Sequence, residues 1–403
     1  MPPASTATYP HPEFDRPWYN RRMTGRDRRA GTGRVGLLAL APLLLVGSAC
    51  AESRPAEARV VGARELGVLE QAATIQGRDG GESALAWGRS IWVFGDTVLS
   101  APDAAGSSWH HNSWSYTADL DAGDGIGSFV ERPDAAGAPA YLLPPTADEQ
   151  AFNDAHAGDP CAETPCGARW AVWPTALVFD EPRDRALVFY DLIYAEPGEM
   201  NFRGVGSGVA TWDAFDEEPV RPVVAPGTTH PTLLFGEDEP GYGTAAVLDG
   251  DDLHVFGCRQ DGFDFPCTVA RVPAAAVLDR AAWRYWDGGT WSPSLHAARP
   301  VLQGAPIVGV FFNRHLERWC AVHSAPLDND VVLHTAPALT GPWSDPLRLF
   351  TADRRTDEGW VYDALPHAEY SEQDGKVLYV THSRPTGVGW FGTELALVRV
   401  ELE

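Results

Sequence analysis

The sequence predicts an all-β chain: a five-bladed β-propeller of four-stranded antiparallel blades, with the ring closed by an N-terminal strand. Three observations carry that prediction. The first is composition: 403 residues with 44% hydrophobic content, 40 Gly, 33 Pro and 15 Trp, which suits many short elements joined by turns in one large domain. The second is periodicity. Outside the N-terminus no long stretch keeps apolar residues at helical spacing, whereas short apolar runs bounded by Gly, Asp and Pro recur. The third is an internal repeat of an apolar strand, a variable loop and a second strand running into Pro or Asp. It occurs five times, from "WGRSIWVFGDT" with "NSWSYTADLD" to "EQDGKVLYVTHS" with "LALVRVELE". Phe94, Phe189, Phe256, Ala321 and Val380 mark equivalent points, spaced 95, 67, 65 and 59 residues apart. An insertion at about 121–168, rich in Asp, Gly, Pro and Ala, accounts for the long first interval.

The elements follow in order. Residues 1–50 read as a signal peptide, with Arg26, Arg28, Arg29 and Arg34 before the apolar run "VGLLALAPLLLVGSAC". That run is too short to span a bilayer comfortably, and Met23 begins a more ordinary signal peptide than Met1. Gly47, Ser48 and Ala49 lead to Cys50 as in a lipobox, which would make Cys50 the lipidated first residue; cleavage after "ACA" would instead leave a secreted protein. Residues 51–70 form a linker and the ring-closing strand "ARVVGARELG", and residues 71–403 form the propeller. Runs such as "ALAW", "WPTALVF", "GTAAVL", "PIVGVFF" and "ALPHAEY" precede the strand pairs, and "WRYWDGGTWS" supplies an outer strand, giving four strands per unit. The four apolar residues Ile91–Phe94 are expected to be the innermost strand of the first blade. A β-sandwich with coincidental repeats is the competing architecture.

Function is read from strand ends, because residues at one end of a propeller's central strands converge on a shared pocket. Asp96 ends such a strand, and burying a carboxylate costs several kcal/mol unless it is paired or used. Asp191 holds the matching place in the second blade, and Cys258 in the third. His367 and Glu369 enter the fifth blade near the axis. Trp109, Trp114, Trp173 and Trp360 lie at loop–strand junctions where a sugar face could stack. Trp283, Trp286, Trp291 and Trp343 are expected to pack between blades.

Export permits disulfides. Cys161 with Cys166, and Cys258 with Cys267 at the base of a hairpin, are the expected pairs, leaving Cys320 as a buried thiol. No Cys-x-x-Cys or His-x-x-x-His spacing points to a metal. No cofactor is expected; calcium or sodium is the ion a carboxylate-lined channel would admit, although no Asp-x-Asp-x-Asp-Gly loop accompanies it. The chain carries 31 Lys+Arg against 55 Asp+Glu, a formal charge of −24, which disfavours nucleic acid. No Gly-x-Ser-x-Gly elbow or phosphate loop is present.

The ordered segments "IWVFGDT", "HHNSWSYTADLDAGDGI", "GYGTAAV", "CTVARVP…WRYWDGGTW" and "TAPALTGPWSDP" together resemble the bacterial family of domain of unknown function 4185, over roughly residues 70–402. The resemblance implies a five-bladed propeller similar to furanosidases such as arabinanases, some members being similar to endo-D-arabinanases. The family's Asp-Gly turn ahead of its Phe-Gly-Asp-Thr strand falls on Asp79 here, and the strand's carboxylate on Asp96. Where the family commonly has an arginine before the next asparagine, this chain has His110 and His111 before Asn112. The expectation is therefore an exported monomer, lipid-anchored or secreted, that hydrolyses an arabinan-like polysaccharide. Asp79 and Asp96 would be the carboxylate pair, with Asp191 assisting and Trp109, His111, Asn112, Trp173, His367 and Glu369 binding substrate. The alternative is a non-catalytic propeller that binds polysaccharide or an envelope protein.

Overall fold

Arg89–Leu99 reads as an unbroken apolar run because both of its faces are buried. Trp92 and Phe94 pack with Tyr379, Leu395 and Leu397, while Ile91 and Val93 pack with Val172, Val188 and Trp212. A strand wedged between two neighbouring sheets meets that condition. The computed structural model describes residues 58–403 apart from 199, 357–358 and 388–391. Within them five antiparallel sheets form, each built on such a doubly buried strand.

The innermost strands are Ile75–Ala86, Arg169–Asp180, Tyr242–Asp249, Gly309–Asn313 and Tyr362–Pro366; each touches the next, and the last touches the first. The expected innermost strand of the first blade was therefore one place too far out. Ile91–Phe94 belongs to the second strand, and the axis is lined by the more polar "IQGRDGGESALA". Its glycines look like a turn in sequence, and Gly80 and Gly81 do hold positive φ of 75° and 95°, yet the segment pairs as a bulged strand. The repeat itself is in register: Phe94, Phe189, Phe256, Ala321 and Val380 sit opposite Gly80, Ala176, Ala245, Val310 and Pro366.

The apolar core is divided among five clusters, one at each contact between neighbouring blades. Each fully buried large side chain there, such as Trp92 or Phe189, contributes on the order of 2–3 kcal/mol. Ring closure is as expected: Val60–Val68 pairs antiparallel with Thr393–Leu402, so the fifth blade takes strands from both ends of the propeller. The insertion carries an element the sequence reading did not include, helix Ala147–His156. Its signal was Thr146-x-x-Glu149: the Thr146 hydroxyl accepts the Glu149 N–H, and Glu149 accepts the Thr146 N–H at 2.8 Å. Glu149 also pairs with Arg221 at 2.7 Å, tying the insertion to the second blade.

Cys161–Cys166 and Cys258–Cys267 form disulfides, and Cys320 is a buried free thiol whose pKa burial pushes up to about 12. Cys50, with the rest of the signal segment, lies outside the described residues. Among those described, no helix is long and apolar enough to cross a membrane.

Candidate functional site

Four of the five inner strands break register near the same end: between Arg78 and Gly80, Pro174 and Ala176, Tyr242 and Ala245, and Tyr362 and Leu365. A bulge leaves one or more residues out of the ladder and re-aims their side chains. The residues so released include Asp79, Thr175 and Asp363. Neighbouring Arg78 goes the other way, buried in an ion pair with Glu131 at 3.0 Å and lying 3.6 Å over the Phe94 ring.

Asp79 is held from three sides. The Tyr362 hydroxyl donates to its Oδ2 at 2.8 Å, across from the fifth blade's inner strand, and the backbone N–H groups of Asp79 and Asp96 lie close enough to favour its charged form. The approach to the second strand is close enough that a Cβ on Gly95 would stand 2.7 Å from Asp79 Oδ1. That is a physical reason for glycine ahead of Asp96. The Trp173 indole N–H, from the second blade, donates to Asp96 Oδ1 at 2.9 Å. Trp109's indole N–H lies close enough to favour the charged form of Asp96 without closing a full hydrogen bond, and Arg169, stacked 4.5 Å over the Trp109 ring, adds positive potential.

Asp79, Asp96, Asp191 and Asp363 are each half-buried residues. Burial raises the Asp79 pKa to about 6 against the opposing hydrogen bonds from Tyr362 and the backbone. Burial, and then the Asp79 charge, raise Asp96 well above the usual carboxylate range. Burial alone lifts Asp191 to about 7, and burial plus the Asp79 charge lift Asp363 to about 8. Two interacting carboxyls with different support, with Asp363 within reach of the Asp79 charge, form an arrangement that can keep one group ionised and another protonated.

The expected substrate-binding residues divide. Trp173 and Trp109 stand at Asp96. His111 and Asn112 are 2% and 0% exposed, which corrects their expected role. The Asn112 amide donates to the carbonyls of Leu143 and Val172, and its oxygen accepts the N–H groups of Leu142 and Leu143 at 2.9 and 3.0 Å, so it anchors the insertion. His111 is bound to the Val172 backbone, and burial depresses its pKa to about 3. His367 is also corrected: it is 1% exposed, bonded to Ser83 and Thr381 and stacked 4.2 Å from Trp92. Glu369 accepts from Ser83 and Ser90 at 2.6 and 2.8 Å. Ser83 lies four residues down the inner strand from Asp79, past a second register break between Gly80 and Glu82, so this network sits further along the blade. Trp114 is buried in the core between the first and second blades and is no platform.

Tyr362, Asp363 and Arg169 were missed. "WVYDALP" carried a signal, an aromatic and a carboxylate at the head of an inner strand, but the register break disguises where that strand begins. No group of His, Cys, Asp and Glu able to hold a metal ion occurs among the described residues.

Residues 208–386 match the model of the family described as domain of unknown function (DUF4185), so the family resemblance is borne out from the second blade's third strand into the fifth blade. No curated protein matches the chain. A crystal structure from Bacteroides ovatus, of a protein described only provisionally as a hydrolase, superposes with TM-score 0.52 at 15% identity, covering 83% of this chain and 87% of that one. That likeness speaks for the fold. The family 117 glycoside hydrolase Zg3597 of Zobellia galactanivorans aligns at TM-score 0.47 and 11% identity over 85% and 89% of the two chains. The α-L-arabinofuranosidase PaAbf62A of Podospora anserina aligns at 0.42 and 11% over 84% and 95%.

Proposed function

We propose that this protein is an exported glycoside hydrolase acting on a furanose-containing, arabinan-like polysaccharide, with its reacting carboxyls at the mouth of the propeller axis. The observation that carries the proposal is the contrast between Asp79 and Asp96. Asp79 is supported as an anion by Tyr362 and two backbone N–H groups. Asp96, beside that charge, is driven toward its protonated form. Glycoside hydrolysis requires such a division, with one carboxyl donating a proton to the leaving oxygen and the other attacking the anomeric carbon or activating a water. Asp96 is then the proton donor, and Asp79 the nucleophile or base. Asp363 is a neighbouring acid that feels the Asp79 charge, and Asp191, a residue in register with Trp173, is the assisting acid. The acidic site suits a neutral glycan better than an anionic one. The protein acts at the cell surface or outside the cell, held through lipidated Cys50 or released after cleavage of the signal segment.

The test is a screen of residues 51–403 against arabinan and arabinogalactan, following released reducing ends, with Asp96→Asn and Asp79→Asn as controls. Turnover by the wild type with at least a hundredfold loss in both variants is expected. No released sugar from any glycan would leave a propeller that binds polysaccharide, and full activity in Asp96→Asn would remove that residue from the chemistry.

A further inference from the structure

Two donors at the candidate site have no acceptor. The Trp109 indole N–H and the Arg169 Nε–H are shielded from solvent, and neither closes a hydrogen bond among the described residues. A buried donor left unpaired is costly and calls for a reason.

Both donors stand beside Asp96. Trp109 pairs with Val98, which makes it the cross-strand diagonal neighbour of Asp96 on the same face of the sheet, a spacing an indole can span. Arg169 lies four residues before Trp173 on the second blade's inner strand, and its guanidinium sits 4.5 Å from the Trp109 ring centre. Trp173 itself donates to Asp96 Oδ1 at 2.9 Å. The indole is held in place from two directions. The cation restrains its ring from one face, and the next residue, His110, is 1% exposed with its two ring nitrogens 3.0 Å from the Pro139 carbonyl and the Asp103 carboxylate. The other titratable groups whose charge is felt at Asp96 are Asp79 from the first inner strand and Tyr362 from the fifth.

Fixed donors that lack an acceptor at rest suit an acceptor whose charge develops only during the reaction. While Asp96 keeps its proton, one of its oxygens is a hydroxyl. In the reaction that proton passes to the leaving glycosidic oxygen, which also takes the electron pair of the broken bond to the anomeric carbon. Asp96 is left as a carboxylate with a second oxygen free to accept. We propose that Trp109 and Arg169 are positioning residues that hold the indole N–H ready for the Asp96 anion formed on proton donation, strengthening Asp96 as the acid. This deepens the function proposed above and rests on it for the reaction, but the hold on Asp96 ionisation is measurable without turnover.

The test reads Asp96 directly. In protein labelled with carbon-13 at the aspartate carboxyls, exposed aspartates are ionised above about pH 6. Signals that still move at higher pH come from the acids of the site, and Asp96→Asn identifies which is Asp96. Trp109→Phe should raise the Asp96 midpoint by about one pH unit, a tenfold change, as for one lost hydrogen bond to a charged group. Arg169→Gln should raise it by about half as much, and Arg169→Lys, which keeps the charge, should restore most of that. With arabinan, kcat in Trp109→Phe should fall about tenfold and its alkaline limb should move to higher pH, with KM within about twofold. A weaker acid stays protonated to higher pH but gives its proton less readily. Should Trp109→Phe fail to fold, the Arg169→Gln and Arg169→Lys pair carries the same reading. An unmoved Asp96 midpoint in the folded variants would overturn the proposal, whether or not the protein hydrolyses arabinan. A raised KM with an unmoved midpoint would assign the donors to the substrate and overturn it as well. A raised midpoint, with no hydrolysis of any glycan by the wild type, would keep the hold of Trp109 and Arg169 on Asp96 and discard the hydrolase.

Discussion

The Tyr362 hydroxyl donates to Asp79 Oδ2 at 2.8 Å, joining the inner strand of the last blade to that of the first across the seam where the ring closes. Tyr362 stays neutral, because burial and the Asp79 charge push its pKa well above the ordinary tyrosine value. The bond therefore serves as a fixed donor that favours the Asp79 anion.

Tyr362→Phe should raise the Asp79 pKa further, since a bond that favours the charged form is lost. If Asp79 reacts as an anion, the acid limb of the pH–rate profile for arabinan hydrolysis moves to higher pH, and kcat/KM below neutrality falls about tenfold, as expected for one hydrogen bond to a charged group. A profile that drops uniformly without moving would assign Tyr362 a packing role only.

Gly95→Ala places a methyl group 2.7 Å from Asp79 Oδ1, inside contact distance. The carboxylate must shift, and misplacing a reacting group by about 1 Å can cost on the order of a hundredfold in rate. Activity should fall at least tenfold while the thermal midpoint changes by only a few degrees. Unaltered kinetics would show that the Asp79 position is not critical.

The buried acids make stability depend on pH in a direction that can be checked. Asp79, Asp191 and Asp363 have folded pKa values raised to about 6, 7 and 8. Their contribution is present below the unfolded carboxylate pKa of about 4 and is lost as pH rises through the folded values. Buried neutral histidines oppose them at low pH: His111 and His367 are depressed to about 3, His323 and His382 to about 4, so their contribution fades as pH falls below about 6.5. Above pH 6.5 the acids act without that opposition. The thermal midpoint should decline from pH 6.5 to 9, and Asp191→Asn with Asp363→Asn should flatten the decline. An unchanged slope in the double variant would refute this account.

Asn112→Ala removes two donated and two accepted hydrogen bonds in a fully buried position. Unfolding in urea should show a loss of about 2–4 kcal/mol. Proteolysis within 121–168 should become faster, since the grip on Leu142 and Leu143 is gone. Rescue by arabinan to wild-type stability would instead reveal a ligand contact at this position.

Much of the architecture was legible because burial on both faces leaves a signature that needs no partner to be recognised. The second strand of every blade is apolar without alternation, as in Ile91–Phe94 or Leu187–Tyr190, and that property recurs at a regular spacing. The ring-closing strand, the two disulfides and the buried Cys320 were local in the same sense. Inner strands were harder. They bulge and carry glycine and carboxylates, and "GRDGGES" is locally indistinguishable from a turn.

Of the residues now grouped in the candidate site, Asp96 and Asp191 were readable because they end apolar runs, Trp109 and Trp173 because they lie at loop–strand junctions, and Asp79 through the family resemblance. What brings Tyr362 to Asp79, 283 residues away, and Trp173 to Asp96, 77 residues away, is closure of the ring. No sequence period expresses it, because each contact joins different blades at bulged positions. For the same reason His111, Asn112 and His367 looked available for ligand although the folded protein consumes them. A single chain states which residues are polar, but only the packed blades decide which polar groups are satisfied internally and which remain at the mouth.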